Sequence, residues 1–461
     1  MEVKFILLVV FFRFLTRLIT WKILLFAGKT RKINMIVQKF CGKISLLFLF
    51  LISFSAMVSA QEFLPNEVIV KLNQTSDLPA IAAQYGLSAT PLEQFTNGGT
   101  IYRLRVLNNA NIQQTVANLR GDLRLTYADP NYVVGTPNAS TVSWSLGGSW
   151  SIGGSWSIGG STKGAVRQWM RSKINLDAAH VLSRGQGVKI AVLDTGIDLS
   201  HPIFAGKLVT GYDFVDGDAN PSEVGTYYQG AYGHGTHVAG IIAQVAPDAK
   251  IMPLRVLDAN GVGNVWTLAK ALSYAANPDG NDNTNDGADI INLSLGTTQT
   301  TSLVRDLLQA ETSHNTPHFN DFPHINNPGI LVVAAAGNTG NSTKIYPAAE
   351  DVINLPGLIA VGASTSNDAL ASFSTRGPWV QIIAPGEQIV SAIPGGRYGV
   401  WRGTSMSAPI LSGIAALVQS KQPQMRTNFL ADWLRMSAVQ VPNQPYKRPD
   451  ALSAVNTPQI P

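Results

Sequence analysis

Two hydrophobic periods divide the chain after its apolar leader. Between residues 66 and 134 the run EVIVKL (67–72) predicts a strand, residues 77–86 a helix, and residues 91–95 and 101–106 a hairpin. Asn97-Gly98-Gly99 sits at the hairpin's turn, where glycine supplies the positive φ a tight connection requires. A second helix follows over 111–120, with Ile112, Val116 and Leu119 on one face, and RLTYADPNYVV (124–134) closes a βαββαβ order. From about residue 166 to 456 the pattern changes to continuous apolar runs: VKIAVL (188–193), KIMPLRVL (250–257), ADIINLSL (288–295), GILVVAAA (329–336) and LIAVGA (358–363). Helical stretches such as 265–277 lie between them. Strands without polar alternation are covered on both faces, so this region is expected to form an α/β, doubly wound, mostly parallel sheet behind a small α+β domain of ferredoxin-like order.

Two further segments complete the layout. Residues 44–58 form an apolar run preceded by Lys39 and Lys43 and followed by Val58-Ser59-Ala60, the pattern of a secretory signal peptide cleaved ahead of Gln61, with an uncleaved anchor as the lesser alternative. The upstream run 5–27 is broken by Arg13, Arg17 and Lys22 and makes a poor membrane span. Met35 opens a signal peptide of ordinary size (35–60), with residues 1–34 read as an upstream extension. Between the two globular regions, residues 136–165 carry three copies of Ser-Trp-Ser-Leu/Ile-Gly-Gly, read as a Gly/Ser/Trp linker, and residues 457–461 as a tail.

Composition then removes several function classes. The chain has 461 residues, 34 Lys and Arg against 29 Asp and Glu, and one cysteine. Nine of the cations and one acid fall in residues 1–60, so residues 61–461 carry 25 minus 28, or −3. A nucleic-acid role has no basic surface to rest on. Cys41 lies before the apolar run, so a processed protein has no thiol for catalysis or metal binding.

Three polar positions stand out in the large domain. Asp194 ends the run VKIAVL, where doubly wound sheets place their functional groups. His234 opens an apolar helix within GHGTHVAG, and Ser405 opens another within GTSMSAP. Each alone reads as a cap or a turn. Together they supply what a weakly nucleophilic hydroxyl requires: a histidine to take its proton and a carboxylate to orient that histidine. The order Asp, His, Ser is one of three known for this triad.

The segments IAVLDTGIDLSHP, GHGTHVAGIIA, INLSLG, VVAAAGNTG and GTSMSAPILSGIAAL, in this order, resemble the signature segments of subtilisin-like serine proteases. The resemblance implies that Asp194 orients the base, His234 is the general base and acid, Ser405 is the nucleophile, and Asn338 donates to the oxyanion. His237 is left as a packing residue. Gly261, Val262, Gly263, Ser294, Leu295, Gly296 and Gly337 match the segments that hold an extended peptide, and Ile345 falls near the floor of the specificity pocket. Residues 61–135 resemble the family's inhibitor-type propeptide, so polypeptide substrates and the chain's own propeptide are the expected partners. A monomeric, secreted or periplasmic endopeptidase made as a self-cutting zymogen is expected, with the cut between Val134 and Arg167. The family's tight calcium site has lost its aspartate to Ile203 and its loop after the histidine helix. No cofactor is expected, although Asp213, Asp216 and Asp218 leave a weaker calcium site open beside the plain reading of a solvated loop. Three rivals were an inactive binding protein of the same shape, an acid-active peptidase with glutamate for histidine, and a dinucleotide binder. The triad with Asn338, His234 itself, and the absence of a phosphate turn at Asp194-Thr195-Gly196 weigh against them in turn.

Overall fold

The computed structural model describes residues 62–461 apart from 97–98, 137–145, 148–150, 153–155, 161, 282–283, 285, 313–328, 352–353 and 457–461. The leader and the glycine turn at 97–98 thus lie outside the described residues.

The N-terminal domain is β1 (Phe63–Leu72), α1 (Leu78–Tyr85), β2 (Glu93–Thr96), β3 (Thr100–Arg105), α2 (Ile112–Leu119) and β4 (Leu125–Gly135), the βαββαβ order expected. Asn111 starts α2 by accepting from the Gln114 N–H at 3.0 Å, as an N-cap does. The antiparallel sheet runs β4-β1-β3-β2. Val68 and Val70 of β1 pack with Ile81, Leu104, Val116 and Leu119 under the domain's own helices. Ile69, pointing the other way, joins a core that belongs to the large domain. Burial of both faces explains why EVIVKL shows no clean alternation.

Each described copy of the hexapeptide repeat supplies a strand: β5 (Leu146–Gly147), β6 (Ser151–Ile152) and β7 (Trp156–Gly160). They pair antiparallel in sequence, so the flexible-linker reading does not hold for these residues. The physical reason is present in the repeat itself. Ser-Trp-Ser-Ile alternates small polar with large apolar residues at period 2, the pattern of a strand.

The large domain contributes β8 (Lys189–Asp194), β9 (Tyr212–Asp213), α3 (His234–Val245), β10 (Lys250–Arg255), β11 (Val262–Asn264), α4 (Val265–Ala276), β12 (Ile290–Leu293), α5 (Ser302–Thr312), β13 (Leu331–Ala335), β14 (Leu358–Ser364), β15 (Ile382–Pro385), β16 (Ile389–Ile393), β17 (Arg397–Trp401), α6 (Thr404–Lys421), α7 (Thr427–Ser437), β18 (Val439–Gln440) and β19 (Lys447–Arg448). Its nine-stranded sheet has the order β18-β19-β15-β14-β13-β12-β8-β10-β9, parallel throughout except at the β18–β19 pair. Ile190 and Val192 face one core with α3 and α6, while Ala191 and Leu193 face the other with α4 and α5. The α/β, doubly wound expectation therefore holds.

Two smaller pairings bear on the site. β16 and β17 form a hairpin whose outer edge carries β7, with Trp401 in register with Trp156. β11 pairs with β4, so the N-terminal domain's sheet continues into the large domain.

Candidate active site

Asp194 closes β8 at the sheet's carboxyl edge, fully buried, and its Oδ1 accepts from the Thr195 N–H at 2.8 Å. The same oxygen lies 2.7 Å from Nδ1 of His234, the first residue of α3. Two glycines make that approach feasible. A Cβ on Gly196 would lie 2.7 Å from the Ser222 carbonyl, and one on Gly235 would lie 2.1 Å from the Gly196 carbonyl, so the helix start abuts the turn after Asp194 directly. Thr195 Oγ1 accepts from the Gly235 N–H at 2.9 Å and locks the two together.

Ser405 lies in the first turn of α6, also buried. Pro409 sits four residues on and has no N–H, which frees the Ser405 carbonyl from the helical ladder. Ser294 takes up that acceptor, its Oγ donating to the Ser405 carbonyl at 3.0 Å. Ser294 Oγ itself accepts from Asn292 at 3.1 Å, and Asn292 accepts from Ser412 at 2.9 Å, so a buried polar chain fixes the start of α6. The Ser405 hydroxyl points to the Ser294 carbonyl at 3.4 Å, and among the described residues no hydrogen bond joins it to His234. Asn338 commits its carbonyl oxygen to Thr404, accepting from N at 2.9 Å and Oγ1 at 3.0 Å. Its NH2 end then lies 3.1 Å from where a Cβ on Gly403 would stand. A free amide donor and the unpaired N–H groups of a helix start thus converge beside a serine.

The segment 261–263 and Gly296 are occupied by the chain itself. β4 runs antiparallel to β11, with Gly135, Val134 and Val133 opposite Val262, Gly263 and Asn264. On its other side Gly135 exchanges both backbone bonds with Gly296, at 2.9 and 2.8 Å, and the Thr136 N–H donates to the Gly261 carbonyl at 3.0 Å. This is strand addition to a cleft rim. Beside Gly296, Ile345 fills the space between two glycines. A Cβ on Gly296 or Gly337 would meet its side chain at 2.5 or 2.6 Å.

The N-terminal domain is held by more than this strand. Asp129 Oδ2 accepts from the Ser302 N–H at 2.6 Å and Leu303 N–H at 3.3 Å, capping α5. Asn131 Oδ1 accepts from the Trp266 N–H at 3.1 Å, in the first turn of α4. Both side chains are fully buried and lie two residues apart on one face of β4. Lys71 pairs with Asp306 at 2.7 Å, and Glu93 reaches Lys270 and the Trp266 indole N–H, each at 2.7 Å.

Several titratable groups differ from their ordinary state. Burial pushes Glu223 up to about 7, although it accepts from Thr236 Oγ1 at 2.8 Å and helps hold the N-terminus of α3. Burial pulls His237 down to about 3; its ring stacks on Trp401 at 4.4 Å and its Nε2 meets the Gly399 carbonyl at 3.3 Å. His237 is therefore a neutral packing residue. The acidic cluster is a solvated loop at Asp216 and Asp218, which are exposed, but not at Asp213. Asp213 is buried, and Arg255 lies 2.5 Å from both Asp213 and Asp216, so a buried guanidinium neutralises the pair. Among the described residues no cluster of three or more His, Cys, Asp or Glu side chains is placed to hold a metal.

Asp194 and His234 are in contact, while Ser405, Asn338, Gly337 and the two cleft segments surround the same cleft. The sequence reading missed Glu223, Trp401, Asp129 and Asn131. The last two had a signal: polar residues at i and i+2 in an otherwise apolar strand.

Residues 185–454 match the subtilase family model, and residues 54–131 match a model described as the fervidolysin N-terminal prodomain. That second match begins inside the apolar run 44–58. A thermophilic serine proteinase of Bacillus sp. (strain AK1) is 35% identical over 376 residues, covering 78% of this chain and 79% of the relative. Thermitase of Thermoactinomyces vulgaris is 38% identical over 265 residues, covering 55% of this chain and 83% of its own. Among solved structures, fervidolysin from Fervidobacterium pennivorans, a keratinolytic enzyme related to subtilisin, superposes with a TM-score of 0.66 at 21% identity, over 87% of this chain and 62% of that one.

Proposed function

The chain belongs to the subtilase family of serine proteases, and we propose that it is a secreted endopeptidase made as a self-processed zymogen, with Asp194, His234 and Ser405 as its triad. The observation that carries this is the chain's own segment 133–136 lying as an added strand between 261–264 and 296, in the place of a peptide substrate. β4 pairs antiparallel with Gly296, and Ser294, two residues before Gly296, is held against Ser405, so the strand up to Thr136 lies beside the segment that carries the nucleophile's partner. We place the first cut at the bonds just past Thr136, inside the Val134–Arg167 window.

In the reaction, the Ser405 hydroxyl turns from the Ser294 carbonyl to His234 Nε2, gives it its proton and attacks the peptide carbonyl. Asp194 holds Nδ1 and stabilises the imidazolium. The Asn338 amide and the Ser405 N–H receive the developing oxyanion. His234 returns the proton to the leaving amine, an acyl-enzyme remains on Ser405, and water activated by the same histidine releases it. The pocket filled by Ile345 suits a small side chain before the scissile bond. The exported location rests on residues 35–60, and a single copy holds the whole site. No metal enters these steps; Ile203 and the missing loop after the histidine helix argue against the tight calcium site, and Arg255 beside Asp213 and Asp216 argues against the weaker one.

Intact mass and N-terminal sequencing of residues 61–461, as wild type and as Ser405→Ala, test the reading. Wild type should lose a fragment ending just after Thr136 while the variant stays whole. If both fold and neither is cut, the protease reading fails.

A further inference from the structure

Arg402 is an exposed guanidinium three residues ahead of Ser405, and among the described residues it has no ion-pair partner. It lies over the ring of Phe373 at 5.8 Å from the centroid. The order of groups around the nucleophile fixes which side of the scissile bond this pair serves. Gly296, which holds the added strand, touches Ile345, and Ile345 touches Gly337. Asn338 follows Gly337, and Gly340 then donates to the Phe373 carbonyl at 2.7 Å. The acyl half of a bound peptide thus lies at Gly296 and its reacting carbonyl at Asn338. Phe373 and Arg402 come next in line, beyond the bond to be broken. Trp401, beside Arg402, lies 6.2 Å from the ring of His234, the group that protonates the leaving amine. The Arg376 guanidinium, bound to the Gly340 carbonyl, adds a second cation to the same rim.

We propose that Arg402, carried on Phe373, reads an acidic side chain in the leaving half of the substrate, so that the enzyme prefers peptides with Asp or Glu in the first two residues after the cut. This rests on the protease reading above and adds a substrate class to it. Stacking on an aromatic face orients a guanidinium and strips part of its water, which strengthens a pairing with carboxylate. The chain's own residues 137–167 contain no Asp or Glu. The preference therefore acts on substrates in trans, and the new N-terminus left by self-processing does not compete for Arg402.

The test uses the self-processed full chain and three quenched-fluorescence peptides that differ only in carrying Asp, Ala or Lys at the first two residues after the cut. The kcat/KM ratio of Asp to Lys should be about tenfold at low ionic strength and fall severalfold in 0.5 M salt, as screening requires. Arg402→Ala should bring the ratio to about one, and Arg402→Glu should invert it. A ratio unchanged in Arg402→Ala, or a wild type that cleaves all three peptides alike, overturns the assignment and leaves the protease reading intact. Failure to cleave even the Ala peptide overturns both.

Discussion

Removing the Asp129 side chain should cripple the N-terminal domain as an inhibitor while leaving residues 133–136, the part of β4 paired with the cleft rim, unaltered. Its carboxylate is fully buried, accepts two N–H bonds from α5 and pairs with Arg120 at 2.8 Å. Asp129→Ala leaves the Ser302 and Leu303 N–H groups unpaired inside the interface, removes the favourable charge at a helix N-terminus and frees Arg120. Arg120 is 52% exposed, so its share is about 0–1 kcal/mol. Loss of the cap and the buried charge-assisted bonds is expected to cost about 2–3 kcal/mol. At 1.4 kcal/mol per tenfold, the inhibition constant should rise by about 30- to 150-fold. The assay is titration of processed enzyme with the separately made N-terminal domain as wild type, Asp129→Ala, Asp129→Asn and Arg120→Ala. Asn retains an acceptor and should fall between wild type and Ala. If Asp129→Ala weakens inhibition no more than Arg120→Ala does, the capping argument is wrong.

Asn338→Ala should lower kcat by about 10²–10³ with little change in KM, and a loss under tenfold would remove it from the oxyanion site. Ile345→Gly should raise the ratio of kcat/KM for Phe over Ala before the scissile bond by tenfold or more, on the order of what an emptied apolar pocket yields; an unchanged ratio would place Ile345 outside the pocket. His237 titrates near 3 when folded and near 6.5 when unfolded, so the unfolded chain binds the extra proton between those values. Stability should be flat on this account above pH 6.5 and decline by up to about 1.4 kcal/mol per pH unit as pH falls toward 3. In a Ser405→Ala background, the difference between His237 and His237→Asn in denaturant unfolding at pH 7 and pH 4.5 should show this dependence of about one proton, because Glu223, raised to about 7, acts on both with the opposite sign.

Most of the layout was legible because local pattern and tertiary role agree. VKIAVL reads as a covered strand and is one, and Asp194 falls at its end because the apolar run stops there. His234 and Ser405 stood out as polar residues opening apolar helices, positions set by the short motifs around them. What escaped was long-range. Nothing near Arg255 announces that it will neutralise Asp213 and Asp216 some forty residues earlier. The repeat was misread since glycine and serine suggest a linker, whereas its last strand, β7, pairs with β17, more than two hundred residues away in sequence. Glu223 lies in a polar loop, and its burial arises only where that loop folds back over Gly196.

Under the self-processing zymogen proposed above, Trp266 would give the molecule a gauge of its own activation. The indole is wholly buried, with Phe95 edge-on at 5.1 Å, the Arg103 guanidinium 5.8 Å from the ring, and its N–H on Glu93. All three neighbours belong to the N-terminal domain, while Trp266 stays with α4. When that domain departs, the ring passes from a dry niche flanked by a cation and a carboxylate into water, and its emission should dim and move to the red. Fluorescence at this tryptophan therefore follows separation of the two domains, as distinct from the bond cleavage that precedes it, and resolves in time two events that a peptide assay records as one.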